Sequence, residues 1–267
     1  MSFAALALST ILAVAWWLGP GWRPRALPGV TRARPWTFGH RGARGPAPEN
    51  TMAAFDLAFA HLDGVETDVQ RTVDGHLVLF HDLELDGRPI RRWRFAALRT
   101  ARPDLVPLEA FLRAARDARG AVVNLEVKSD PRTVRGILRG AALERDLVRA
   151  VRGSGVEDRV VISSFDPFAL ARVRLLAPEL RTAFLSAPEG PAWARWVPWA
   201  RLLHVDALHP EVRQVTPGLL ARAHARGLAV HVWTVNDAND VVRLLRSGVD
   251  GVMGDDPEAL AAAVREA

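Results

Sequence analysis

Between Gly39 and Asp82 the chain places His40, Arg41 and His81 at the ends of apolar runs, together with two acids two residues apart, Glu66 and Asp68. Further on, Asn124-Leu-Glu-Val-Lys128 adds a carboxylate, Glu126, and an ammonium, Lys128. Histidine titrates near neutrality, so a pair can take a proton at one atom and give one at another. Glu66 and Asp68 project from the same face of an extended chain. Two carboxylates so placed repel each other unless a cation lies between them. Hard divalent ions take such oxygen ligands. Arginine and lysine beside them neutralise an anion. Together these are the parts that cleavage of a phosphodiester requires. Lys128 is the single lysine of a chain with 35 basic residues. A surface charge would not need that choice, whereas a compact ammonium beside a cation and an anion suits it.

The elements that must position these groups are legible as apolar runs. Trp36-Thr-Phe38 reads as a strand that delivers His40 and Arg41 at its C-terminal end. Pro46 and Pro48 keep the next loop extended. Asn50 or Thr51 can cap a helix reaching about His61, with Phe55, Ala58, Phe59 and Leu62 on one face. Gly64–Gln70 is the second strand. Asp74-Gly75 is then a tight-turn signal. A two-residue hairpin there sets Thr72 opposite His76 or Leu77, and so brings Phe80 and His81 back beside Asp68. Ala121–Lys128 is the next strand, with Glu126 and Lys128 on one face. Glu126 lies between Leu125 and Val127, where an unpaired carboxylate would be costly.

Without the hairpin return, strands begin near Trp36, Gly64, Ala121, Arg159, Arg181, Val205, Ala229 and Asp250. Helical stretches follow at Pro107–Ala118, Asp130–Val151, Pro167–Leu176, Pro217–Arg226, Asp237–Arg246 and Pro257–Arg265, with Leu83–Asp104 as loop plus a short helical turn. Pro188–Trp199 reads as helix or loop. Eight alternations predict an α/β fold, a (β/α)8 TIM-type barrel with a β-hairpin after the second strand. Sites in such barrels lie at the C-terminal strand ends. His40, Glu66, Asp68, Glu126, Lys128, Phe165 and Trp233 all fall there. Trp193, Trp196 and Trp199 make a stripe suited to core or membrane-surface packing. His61, His76, His204, His224 and His231 read as structural or surface groups. His209 is at a strand end with either role open.

This arrangement resembles the glycerophosphodiester phosphodiesterase family, part of the superfamily of phosphatidylinositol-phosphodiesterase-like barrels. The likeness rests on His40-Arg41-Gly42, Pro48-Glu-Asn-Thr51, Glu66-x-Asp68, Thr72-x-Asp74-Gly75, His81-Asp82, Glu126-x-Lys128, Ser163-Ser-Phe165, Trp233-Thr-Val-Asn236 and Asp250-Gly-Val252. It runs from about Thr37 to the C-terminus. The resemblance implies hydrolysis of glycerophosphodiesters to an alcohol and glycerol 3-phosphate. It implies His40 and His81 as acid and base, and Glu66, Asp68 and Glu126 as ligands of one divalent cation, Ca2+ or Mg2+. Arg41, Lys128 and Trp233 would meet the substrate, with Glu49 and Asp82 behind them. Lysophospholipase D activity at a membrane is the alternative. The short gap from His81 to Glu126 leaves no room for the insertion many family members carry, so an open site is expected.

Composition limits the rest. The 267 residues suffice for one large domain, and 49% hydrophobic content excludes a disordered chain. No cysteine is present, which excludes disulfide and thiolate chemistry. The formal charge of +5 comes from dispersed arginine without a basic block, so nucleic-acid binding is not expected. Residues 2–22 are apolar and uncharged, with Trp16, Trp17 and Trp22 suited to an interface. They read as an N-terminal apolar helix, either a membrane anchor or a signal segment. Arg23, Arg25, Arg32 and Arg34 favour a cytoplasmic catalytic domain on a membrane-associated protein; a secreted or periplasmic protein is the alternative. Residues 23–35 read as a linker and 36–267 as the barrel domain.

Overall fold

The computed structural model describes residues 23–26, 35–118, 120–129, 141–188 and 203–267. Its strands are β1 (Trp36–Gly39), β2 (Gly64–Arg71), β3 (Leu77–Leu79), β4 (Glu84–Leu85), β5 (Arg88–Pro89), β6 (Val106–Pro107), β7 (Val122–Val127), β8 (Val160–Ser164), β9 (Arg181–Ser186), β10 (Ala207–Pro210), β11 (Ala229–Val232) and β12 (Gly251–Gly254). β1, β2 and β7 to β12 pair in parallel, and β1 joins both β2 and β12, closing the barrel.

Each barrel strand is buried on both faces. Outward residues such as Val65, Val69, Val123, Leu125 and Ile162 pack against Phe55, Phe111 and Leu147 of the surrounding helices. The Phe55 and Phe111 rings lie 4.5 Å apart at a tilt, a favourable aromatic geometry. Inward residues Phe38, Val122, Val161, Ala183, Ala207 and Met253 fill the lower barrel. The helices start on side-chain caps. Asp166, Thr216 and Asp256 each accept a backbone N–H of the helix they open, and each precedes a proline at its first turn.

The hairpin forms at the Asp-Gly turn, but Thr72 faces His76, so the loop has three residues, 73–75, where two were expected. Val69 pairs with Leu79 and Arg71 with Leu77, and Phe80 N–H donates to the Asp68 carbonyl at 3.0 Å. The segment after His81 is more ordered than the expected loop. β4 and β5 form a small antiparallel ribbon, Phe95–Ala101 is a helix, and β6 adds to β3. Pro107, expected to open a helix, pairs instead with Val78, and the helix begins at Leu108. β6 is the edge of the sheet, where a residue without an N–H is tolerated. The sixth barrel strand begins at Ala207 rather than Val205.

Of the helix expected over Asp130–Val151, the part Ala142–Arg152 is seen and its start lies outside the described residues. The Trp193–Trp199 stripe and the N-terminal segment also lie outside them. Among the described residues no helix is long and apolar enough to cross a membrane. Arg23–Ala26, in the expected linker, lies against the barrel floor. Arg25 donates its backbone N–H and Nε to Asp206 Oδ1 at 2.9 and 3.2 Å and its guanidinium to the carbonyls of Pro178 and Glu179. Arg174 binds the same carboxylate from within at 2.8 Å. Asp206 just precedes β10, at the end of the barrel opposite the C-terminal strand ends.

Candidate active site

The turn after β1 is shaped by its sequence. Arg41 is left-handed at φ 52° and Gly42 follows at φ 85°, where a Cβ would meet the Ala54 backbone at 2.8 Å. The turn aims the Arg41 N–H at Glu66 Oε2, 2.8 Å away. The Arg41 guanidinium donates to Glu49 Oε2 at 2.8 Å and reaches Asp68 Oδ2 at 3.6 Å. On the neighbouring strands Asp68 pairs in register with Glu126. Lys128 Nζ lies 2.9 Å from Glu126 Oε1 and 3.4 Å from Asp68 Oδ1. Carboxylate oxygens of Glu66, Asp68 and Glu126 lie within 4.8 Å of one another, and all three residues are buried.

The electrostatics of the three acids differ. Burial first, then repulsion from Asp68 and Glu126, pushes the Glu66 carboxyl well above its ordinary range. Burial raises Glu126 to about 7 against the opposing pull of Lys128. At Asp68 burial acts upward, but Lys128, His81 and Arg41 together outweigh it and hold the carboxyl below its ordinary value. At Lys128 burial acts downward and is overcome by Glu126 and Asp68, so the ammonium stays charged. Three buried carboxylates against two cations leave negative charge that a hard, oxygen-seeking ion would neutralise. The donor set therefore fits a divalent cation.

Each histidine is held by a carboxylate through Nδ1, which leaves Nε2 outside that bond. His40 Nδ1 lies 2.7 Å from Asp255 Oδ1. Asp255 is fixed by Asn236, whose Nδ2 donates at 2.7 Å and whose Oδ1 accepts the Asp255 N–H at 2.9 Å. Arg44 Nε approaches the same carboxylate at 3.2 Å. His81 Nδ1 lies 2.8 Å from Asp82 Oδ1, in a more exposed setting, and burial lowers its basicity. A cleft of about 460 Å³ is lined by His81, Asp82, Leu83, Glu126, Lys128 and Phe165. Trp233 meets Phe165 edge to face at 5.5 Å and anchors its Nε1–H on the His209 carbonyl at 2.7 Å.

The residues singled out in the sequence thus converge on the C-terminal end of the barrel. Of the two cap candidates, Thr51 holds and Asn50 does not. The helix cap is Thr51, which accepts from Ala54 N–H. Asn50 is left-handed at φ 57°; its Nδ2 donates to Asp68 Oδ2 at 2.9 Å and its Oδ1 accepts from Thr67 Oγ1 at 2.7 Å. It is a brace for Asp68. Asp255 and Arg44 were not singled out from the sequence, and Asn236 only as part of a motif. His209, left open, is fully buried inside the barrel.

A parallel barrel that gathers an acid cluster, two carboxylate-held histidines and two cations at its mouth defines a phosphodiesterase. The chain belongs to the glycerophosphoryl diester phosphodiesterase family, whose model matches residues 40–259. It is 33% identical over 247 residues to a glycerophosphodiester phosphodiesterase of Caldanaerobacter subterraneus subsp. tengcongensis, covering 85% of this chain and 96% of that one. The fold matches a solved protein of Silicibacter pomeroyi with TM-score 0.78 and 28% identity, over 95% and 97% of the two chains. An Oleispira antarctica phosphodiesterase solved with sn-glycerol-3-phosphate is similar at TM-score 0.75 and 25% identity, over 87% of this chain and 97% of that one.

Proposed function

We propose that the protein hydrolyses glycerophosphodiesters to an alcohol and glycerol 3-phosphate in a metal-dependent reaction. The observation that carries this is the buried Glu66–Asp68–Glu126 cluster flanked by two carboxylate-held histidines. The three acids would hold one Ca2+ or Mg2+. When bound, the ion supplies Lewis-acid polarisation of a phosphoryl oxygen and acidifies a hydroxyl. Arg41 and Lys128 neutralise the remaining phosphate charge. One histidine accepts the proton of the attacking water, or of a substrate hydroxyl whose cyclic phosphate water then opens, and the other gives a proton to the leaving alkoxide. Glu49 holds the Arg41 guanidinium and Asp82 the His81 ring. Trp233, beside Phe165, forms a wall for the organic part of the substrate. The Oleispira antarctica protein with bound glycerol 3-phosphate supports that product. The test is hydrolysis of glycerophosphocholine with EDTA and then with Ca2+ or Mg2+ restored. Metal-dependent release of glycerol 3-phosphate is expected. A folded sample that turns over equally in EDTA sinks the metal reading.

The uncharged apolar run at residues 2–22 favours membrane association as a second element of the reading. It also keeps lysophospholipid substrates in view. The family match and the glycerol 3-phosphate held by the Oleispira antarctica protein favour the soluble diester. Comparing glycerophosphocholine with lysophosphatidylcholine on vesicles separates the two. Faster turnover of the lysolipid would reverse the choice.

A further inference from the structure

Beneath the acid cluster the barrel interior is polar where such barrels usually carry aliphatic layers. Asn124, Ser163, His209 and His231 are at most 1% exposed. The amide atoms of Asn124, the Ser163 hydroxyl and all four imidazole nitrogens make no hydrogen bond to any described residue. These groups lie on the inward face of their strands. Asn124 lies two residues before Glu126 on β7, and Ser163 pairs in register with Glu126. The His209 and His231 rings stack at 5.1 Å, and His231 also lies 5.1 Å from Phe38.

The register says how deep they sit. In an eight-stranded barrel, paired residues step down the axis by about one residue per strand. Asp68 pairs with Glu126, Glu126 with Ser163, Ser163 with Ala183, Ala183 with Ala207 and Ala207 with Ala229. Following those steps puts Glu66, Ser163 and His209 in one layer, with Asn124 and His231 in the layer below. Gly251 admits the His231 ring, since a Cβ there would come within 2.9 Å of it. Burial keeps His231 neutral, with its value lowered to about 4. A neutral imidazole offers one donor and one acceptor. Native proteins meet such buried groups with ordered water when no side chain reaches them.

We propose that the barrel interior here is a hydrated chamber in which ordered water bridges Asn124, Ser163, His209 and His231 and supports the Glu66 carboxylate from its own layer and the one below. The two histidines and Ser163 are then positioning residues for the acid cluster. That second statement rests on the metal reading of the cluster; the chamber itself does not. A high-resolution crystal structure of the full chain tests the chamber. Water within hydrogen-bonding distance of both imidazoles and the Ser163 hydroxyl is expected, and a dry interior overturns the proposal. Calorimetric titration with Mg2+ and Ca2+ alone tests the positioning role. Ser163→Ala, the near-isosteric change, and His209→Phe should each weaken ion binding about tenfold, as loss of a ligand's outer support does, with folding checked by melting. Unchanged affinity in Ser163→Ala overturns the positioning role. If the wild-type protein shows the water yet binds neither ion, the metal reading fails and the chamber stands.

Discussion

Ion binding at the acid cluster should be strongly coupled to protons. In the metal-free protein Glu126 titrates at about 7 and Glu66 is pushed well above its ordinary range, both first by burial. A ligating carboxylate must be ionised, so binding displaces these protons. A proton with a pKa of about 7 competes with the ion by about a factor of ten between pH 8 and pH 6. Glu66 adds to that in the same direction. Asp68 adds nothing in this window, because its carboxyl is held below its ordinary value. Titration calorimetry with Mg2+ or Ca2+ at several pH values, in buffers of different ionisation enthalpy, reads both the affinity and the proton release. Affinity should rise at least tenfold from pH 6 to pH 8, with between about half a proton and one and a half protons released near pH 7. Stability follows the same logic. The folded-state value of Glu126 lies above the unfolded one, so its contribution is present at low pH and lost as pH rises through about 7. Metal-free protein should therefore be less stable at pH 8 than at pH 6 through this group, and added ion should raise the melting temperature more at pH 8. Flat affinity and no proton release would refute the reasoning. It would mean that Arg41 and Lys128 already keep all three acids ionised across this range.

Other perturbations separate the roles of the remaining groups. His40→Ala or His81→Ala should each lower turnover by about 10²–10⁴-fold while leaving calorimetric ion binding intact; full activity in both would remove the acid and base assignment. Asp255→Asn keeps the His40 ring but loses the carboxylate that holds it, so kcat should fall at least about tenfold with KM little changed. An unchanged kcat would make Asp255 an incidental contact. Lys128→Met removes the main downward pull on Glu126, so the pH midpoint of ion binding should move up and kcat/KM fall by about 100-fold. Phe111→Ala, far from the cleft, should cost about 3–5 kcal/mol in denaturant unfolding through the cavity it leaves against Phe55.

The sequence was most informative where geometry is local. The two-residue period of a strand is enough to place Glu66 beside Asp68 and Glu126 beside Lys128. The Asp74-Gly75 turn is enough to return the chain toward Asp68, although a loop one residue longer than the two-residue turn sets Phe80, not His81, opposite it. The ribbon after His81 was not legible, since strands of two residues leave no period to read. Asn50 misleads for a different reason. Its residue type fits a helix cap, and only the left-handed backbone angle reveals that it turns back to Asp68.

Asp255 is the instructive case, because it lies 215 residues from His40 in the chain. No motif joins the two, yet the barrel prediction already contained the pair. A closed barrel obliges its last strand to lie beside its first. Both strands end in glycine, and Gly39 is in register with Gly254. Whatever follows Gly254 must therefore emerge next to whatever follows Gly39, which is His40. An acid at that position is within reach of the imidazole before any side-chain geometry is considered. The residues after the last strand of a closed barrel thus belong in any search for partners of the residues after the first.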